Sequence, residues 1–249
     1  ITCRDWSSDV CSSDLAAQGR WTRELGAIGV EGGTEDQRTI FTSALYHALL
    51  APTLFSDVDG RYIGLDRKPH TLPQGNAAYS TFSLWDTYRA LHPLLTIVAP
   101  DKAQSLVADL IRQTQQSPYG PPCWPLQGVE TGTMIGWHAV SVLAEAQKKG
   151  IKADYAAAWP GIAKRSFDFS APDLDNSKGR DLYDTMGYVP ADKLFESVSR
   201  TQEYAYDDWA SSHLARAAGK TAEANRLLKR SRNWRNVIDG RIGFARPRF

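Results

Sequence analysis

The 249-residue chain carries little of what would tie it to nucleic acid, to a membrane or to a disulfide scaffold. Its 29 basic and 28 acidic residues leave a formal net charge of +1, and Lys and Arg are dispersed apart from a run near Lys229 to Arg235. No field of one sign is therefore present to attract a polyanion, and a neutral or mixed partner is expected. No apolar run reaches the roughly 18 to 20 residues needed to span a bilayer. The cysteines number three, Cys3, Cys11 and Cys123, in no metal-ligand spacing and with no implied disulfide framework. Strand signals are few, and there is no 34- or 40-residue repeat of the kind that builds a regular solenoid. What is plentiful is aromatic: 8 Trp, 10 Tyr and 8 Phe, equally useful for a core or for stacking on sugars.

Residues 1–15 show neither a helical nor a strand period. The stretch Cys3-Arg-Asp-Trp-Ser-Ser-Asp-Val-Cys-Ser-Ser-Asp-Leu15 looks like a translated sequencing adapter rather than native protein, so the fold is read from residue 16 to residue 249. With the native N-terminus replaced, a missing signal peptide says nothing about secretion.

From there the periodic segments are helical. Gly32-Gly33 ends a short apolar segment (Leu25, Ile28, Val30), and Thr34 is placed to cap a helix beginning Glu35-Asp36-Gln37. Ile40, Phe41, Ala44, Leu45, Ala48 and Leu49 recur at helical spacing and are expected to face a core, with Pro52 as the stop. His47, beside that stripe, is read as a satisfied buried histidine. Asp57-Val-Asp-Gly60 suggests a hairpin turning at Asp59-Gly60. It also resembles the start of a calcium loop, but Arg61 and Ile63 stand where later oxygen ligands are needed.

Tyr79-Ser-Thr-Phe-Ser-Leu-Trp-Asp-Thr-Tyr-Arg89 brings an indole and a carboxylate side by side at Trp85 and Asp86, where a helix begins. An aromatic face suits the C–H surface of a pyranose, and a carboxylate can accept from two neighbouring hydroxyls. Ser83 and Asp86 also fit a capping box. The helix is predicted to run through Leu91, Leu94, Leu95 and Val98 with a kink at Pro93, and a second one from Pro100 to about Gln116. The loop Ser117 to Gly128 is too rich in Pro and Gly to be helical. Glu130 follows, just ahead of a predicted helix that continues through His138 to Gly150. Near that positive end its carboxylate is favoured ionised, as a ligand acceptor or as plain dipole compensation.

Further helices are predicted over Asp154–Phe169, about Glu196–Ala218 and Thr221 to about Val237. Asp207-Asp208 lies on the second of these. Neighbours on a helix point about 100° apart, so the pair cannot converge on one atom as an acid/base couple; one buried, paired group plus one solvated group is expected. Seven helical segments joined mostly by short connections read as an all-α array of hairpins, and an incomplete (α/α)6 toroid fits them.

Seven ordered blocks resemble the family 92 glycoside hydrolases, calcium-dependent exo-acting α-mannosidases. They are Val30-Glu-Gly-Gly-Thr34, Phe41 to Pro52, Phe55 to Tyr62, Tyr79 to Arg89, Glu130-Thr, Met134 to Val140 and Glu196 to Trp209. The resemblance implies the N-terminal part of an (α/α)6 catalytic domain, with mannose-containing glycans as partners and a secreted, periplasmic or cell-surface bacterial location. It places Trp85 and Asp86 in the terminal-mannose subsite and adds Glu130 and His138 as substrate-binding candidates. The family inverts at the anomeric carbon, which needs an acid and a base carboxylate roughly 6.5–9.5 Å apart, and calcium holds the mannose through oxygen ligands. The family's Glu-Gly-Asn-like, Asn-Glu-Pro-like and Gly-Asn-Asp-like segments are absent here. The catalytic acid, base and calcium ligands are therefore expected beyond Phe249, with no metal ligand assigned in this chain. Residues 16–249 alone are expected to be inactive and prone to associate. The alternative from another class is a non-catalytic helical carbohydrate-binding or interaction module.

Overall fold

A computed structural model describes residues 8–170 and 173–249. Cys3 and the rest of residues 1–7 lie outside the described residues. The fold is mostly helical, with a few very short strands. α1 (Ser8–Leu25) runs through the second half of the stretch set apart above, so Ser, Asp and Ala residues without an apolar period are carried in a largely exposed helix. Its visible anchor is Trp21, whose ring lies 4.7 Å from that of Tyr46.

α2 (Glu35–Leu50) begins at the expected cap. Thr34 Oγ1 accepts from Gln37 N, and Gln37 Oε1 accepts from Thr34 N at 2.9 Å, a reciprocal pair that satisfies two orphan donors. Its expected core stripe is not realised as a whole. Leu45 and Leu49 are buried, but Ile40 is 68% exposed, and His47 is exposed rather than buried. α2 packs on the core through Phe41, Leu45 and Leu49, and most of its other residues are exposed.

The hairpin between residues 53 and 80 also differs from expectation. Asp57–Gly60 is a turn leading into β2 (Arg61–Ile63), which turns back through Leu65–Lys68 to β3 (Pro69–Thr71). β1 (Thr53–Leu54) pairs with β4 (Tyr79–Ser80). Asp59 accepts from Arg61 Nε at 2.7 Å, so its carboxylate is already paired and does not open a cation loop.

The predicted Trp85 helix is broken in two. α3 (Leu84–Thr87) is a single turn, and α4 (Leu91–Val98) restarts after Tyr88–Ala90. Pro93 therefore lies in the first turn of α4, where its missing N–H costs nothing, and not at a kink. α5 (Pro100–Gln116) buries Leu106, Leu110 and Val107 on one side. After it comes a hairpin, β5 (Pro125–Leu126) and β6 (Val129–Glu130), closed by Gln127 and Gly128, both at positive φ. Two such residues give the turn whose twist matches its strands, and glycine adopts that φ without steric cost.

α6 (Ala139–Lys148), α7 (Trp159–Phe167), α8 (Arg180–Met186), α9 (Ser197–Ala217) and α10 (Thr221–Arg230) complete the helices. α8 lies between the predicted helices Asp154–Phe169 and Glu196–Ala218, where no helix is predicted. α10 passes into a 3₁₀ turn, Ser231–Val237, ahead of the small pair β7 (Ile238–Asp239) and β8 (Phe244–Ala245). One core joins α4, α5, α6, α7, α9 and α10, built on Leu95, Leu106, Leu143, Ile162, Leu214 and Leu227, all fully buried. Among the described residues no helix is long and apolar enough to cross a membrane.

Candidate functional site

The Trp85 stretch is held from below by α5 and from the side by the Pro/Gly loop. The buried Asp109 carboxylate accepts from Tyr79 N at 2.9 Å, from Gln113 Nε2 at 2.8 Å and from Arg112 Nη2 at 2.9 Å, which pins β4 to α5. Burial pushes the Asp109 pKa up to about 6 against the pull of Arg112 and these bonds. Leu84 N donates to Cys123 O at 3.0 Å, and Ala139 N donates to Pro122 O at 3.1 Å. The irregular loop thus fixes the starts of α3 and α6 against each other, a scaffold role for the chain's least regular segment.

At α3 the expected capping box is not formed. Ser83 makes no side-chain cap bond, and the Asp86 N–H donates to the Ser83 carbonyl at 3.0 Å instead. Asp86 is exposed, and none of the described side chains bonds its carboxylate. Trp85 is half-buried, with the Arg89 guanidinium 4.6 Å above its ring and 4.7 Å from that of Tyr88. Arg89 Nε donates to the Trp85 carbonyl at 3.1 Å, closing a one-turn clamp across Trp85, Tyr88 and Arg89. A cation on an aromatic face contributes about 0.5–1 kcal/mol at an exposed site, enough to favour one orientation of the indole.

Beneath the clamp, charges alternate into the core. His138 is fully buried at the N-terminal edge of α6; its Nδ1 lies 2.8 Å from Asp207 Oδ1, and its ring stacks on Tyr88 at 4.7 Å. Asp207 also accepts from Trp137 N at 2.7 Å. On the other side, His138 Nε2 faces Glu203 Oε2 at 3.3 Å, an ion-pair distance without the alignment of a hydrogen bond. Glu203 Oε1 lies 3.7 Å from Arg89 Nη2. Burial alone would favour neutral imidazole, but the two carboxylates outweigh it and raise the His138 pKa to about 9. His138 is thus an imidazolium at neutral pH, held between Asp207 and Glu203.

Glu130 lies elsewhere. It is on β6, well ahead of α6, so the expected helix N-terminus is not beside it. Its buried carboxylate accepts from Cys123 N at 2.8 Å, Trp124 N at 3.1 Å and Gly132 N at 3.1 Å, and so ties the hairpin to the loop. Burial pushes its pKa upward against those bonds, the reverse of the expected dipole effect. Asp207 and Asp208 do point apart, but neither is solvated. Asp208 accepts from Arg230 Nε at 2.6 Å, Arg230 Nη2 at 2.7 Å and Tyr183 Oη at 3.0 Å.

The structure therefore brings Trp85, Asp86 and His138 into one cluster and keeps Glu130 in the supporting loop. The sequence reading did not single out Arg89 and Glu203. The available signals were spacing: Arg89 lies one turn after Trp85, and Glu203 and Asp207 stand at i, i+4 on one face of α9. Among the described residues, no group of three or more His, Cys, Asp or Glu side chains is arranged to hold a metal ion.

A family model described as the glycosyl hydrolase family 92 catalytic domain matches residues 4–249. The chain is similar to a family GH92 α-mannosidase from Bacteroides thetaiotaomicron solved in complex with mannoimidazole, with 36% identity and a TM-score of 0.83 over 94% of this chain and 30% of that one. It is also similar to a family GH92 inverting mannosidase from Bacteroides thetaiotaomicron VPI-5482, with 30% identity and a TM-score of 0.83 over 97% of this chain and 33% of that one. A protein described as an uncharacterized secreted glycosidase from Arthroderma benhamiae is 27% identical over 98% of this chain and 30% of its own length. The chain thus spans about a third of the length of the relatives it matches.

Proposed function

The chain belongs to the glycosyl hydrolase family 92 catalytic domain family, and on that premise we propose that it forms part of the sugar subsite of an inverting, calcium-dependent exo-α-mannosidase acting on terminal α-linked mannose of glycans. The observation that carries this reading is the Trp85–Asp86 pair: a half-buried indole held by Arg89, next to an exposed carboxylate with no described partner. The indole offers its surface to the C–H face of a mannose ring, and Asp86 accepts from two vicinal hydroxyls. His138 stacks under Tyr88 and supports that floor; Glu130 sets the loop from which α3 starts. In this reading the helices belong to an (α/α)6 toroid and the enzyme is exported.

The acid and base carboxylates and the calcium ligands are, in this proposal, not among the described residues. The acidic groups that could have served are committed elsewhere: Asp207 to His138 and Trp137 N, Asp208 to Arg230, Glu130 to backbone N–H groups and Asp59 to Arg61. They do not fit a calcium site. On this basis residues 16–249 alone have no turnover and tend to associate. Apolar side chains such as Phe195 (93% exposed) and Ile97 (74%) are open to a partner.

The test is the hydrolysis of α-linked mannobioses by the enzyme containing this domain, with and without a chelator, comparing Asp86→Ala with the parent. We expect kcat/KM to fall about a hundredfold or more, ~3 kcal/mol of transition-state binding, because a charged acceptor for two hydroxyls is removed. An unchanged kcat/KM would take Asp86 out of the subsite.

A further inference from the structure

Of the two carboxylates that flank His138, Glu203 is the less well satisfied. Its side chain is only 17% exposed, yet its two contacts, 3.3 Å to His138 Nε2 and 3.7 Å to Arg89 Nη2, are ion pairs and not aligned hydrogen bonds. Asp207, by contrast, is fully bonded and fixes the far side of the same imidazole. The row reads Asp207, His138, Glu203, Arg89, alternating in sign from the core to the surface and ending on the Trp85 ring. A row of alternating charges transmits orientation, because moving one member leaves its neighbours facing a like or missing charge.

We infer that Glu203 is a positioning residue of the sugar subsite: anchored by His138, it holds Arg89 on the Trp85 ring and thereby sets the indole and the adjoining Asp86 carboxylate for a hexopyranoside. Arg89 is 46% exposed, and a solvent-exposed guanidinium on a flexible stem has many alternatives. The clamp on Trp85 and Tyr88 holds it from one side only; Glu203 supplies the second point that excludes those alternatives. The ring faces and the carboxylate together restrict the guanidinium, and the guanidinium over the Trp85 ring restricts the indole. The inference rests on the sugar-subsite reading for its purpose, but not for its geometry.

The test uses the enzyme containing this domain with Glu203→Gln, which keeps shape and removes charge, with Arg89→Met, which keeps the stem and removes the guanidinium, and with both together. The first readout is the emission of Trp85, taken as the difference between each protein and its Trp85→Phe counterpart. The second is affinity for methyl α-mannoside by NMR titration. Each single change is expected to shift the Trp85 emission and to weaken binding about tenfold. The double change is expected to do no more than either, since both cut one row of contacts. Unchanged Trp85 emission in Glu203→Gln overturns the inference, as does strict additivity of the two losses. A parent enzyme that binds no mannoside refutes the subsite reading and leaves the emission shift to decide the role of Glu203.

Discussion

Asp207 and Asp208 are adjacent on α9 and equally inaccessible, yet they serve two different parts of the molecule. Asp208 looks inward, to Arg230, which also meets Asp184 at 2.5 Å and donates to the Ser166 carbonyl, while Tyr183 closes the remaining side. Every strong group there has an aligned partner. Asp207 looks toward α6 and α3, and its row ends in Glu203 and Arg89, where alignment is lost and solvent begins. The first network locks the α8, α9 and α10 packing. The second leaves polar capacity free at a surface with an aromatic floor. Two neighbouring identical side chains therefore differ in role because a helix turns about 100° per residue and the two sides of α9 have different neighbours.

The sharpest way to break that contrast is Arg230→Met. It strands the fully buried Asp208, and removing one partner of a buried pair costs about 3–5 kcal/mol. Urea unfolding should show a loss of this size, with cluster geometry at Trp85 preserved; a loss below about 1 kcal/mol would mean that the inner network is not the stronger one.

The second prediction separates the networks by pH. His138 has a folded pKa of about 9, above its ordinary 6.5, so the native state holds a proton that the unfolded chain has released between those values. The stabilisation is full below about pH 6.5 and is lost as pH rises through about 9, on the order of 3 kcal/mol in all. Arginine does not titrate in that window, so the Asp208 side adds no such slope. Stability measured from pH 6 to 10 should fall more steeply for the parent than for His138→Gln, and equal slopes would put the charge of His138 in doubt. The smallest effect is expected at Thr34→Ala, far from both networks. Loss of the α2 cap should cost about 1 kcal/mol, seen as faster amide exchange in the first turn of α2.

Much of the helical framework was legible in advance. The α2 start at Thr34, the α5 span from Pro100 to Gln116 and the long α9 follow from caps, proline placement and apolar period, all local effects. The break at Tyr88–Ala90 was not legible, because the sequence there permits helix and the interruption comes from the way Arg89 and Tyr88 are held by α6 and α9. α8 escaped notice because its seven residues are too short for a period and are held by Tyr183 and Arg180 contacts to distant segments. At the site, Trp85 and Asp86 stood out by their chemistry. Glu203 did not, since a glutamate on a helix face reads as ordinary solvated charge until Arg89 and His138 are placed beside it.

By itself the sequence determined the helical class, the bounds of α2, α5 and α9 and the presence of an indole beside a carboxylate, because these depend on residues within a turn or two of one another. Tertiary structure alone decided that Glu130 is a loop brace, that Asp207 and Asp208 are both buried, and that Glu203 joins His138 to Arg89. These are contacts between segments distant in the chain, and their strength depends on burial and on the sign of the neighbouring charge. Neither quantity exists until the helices have packed.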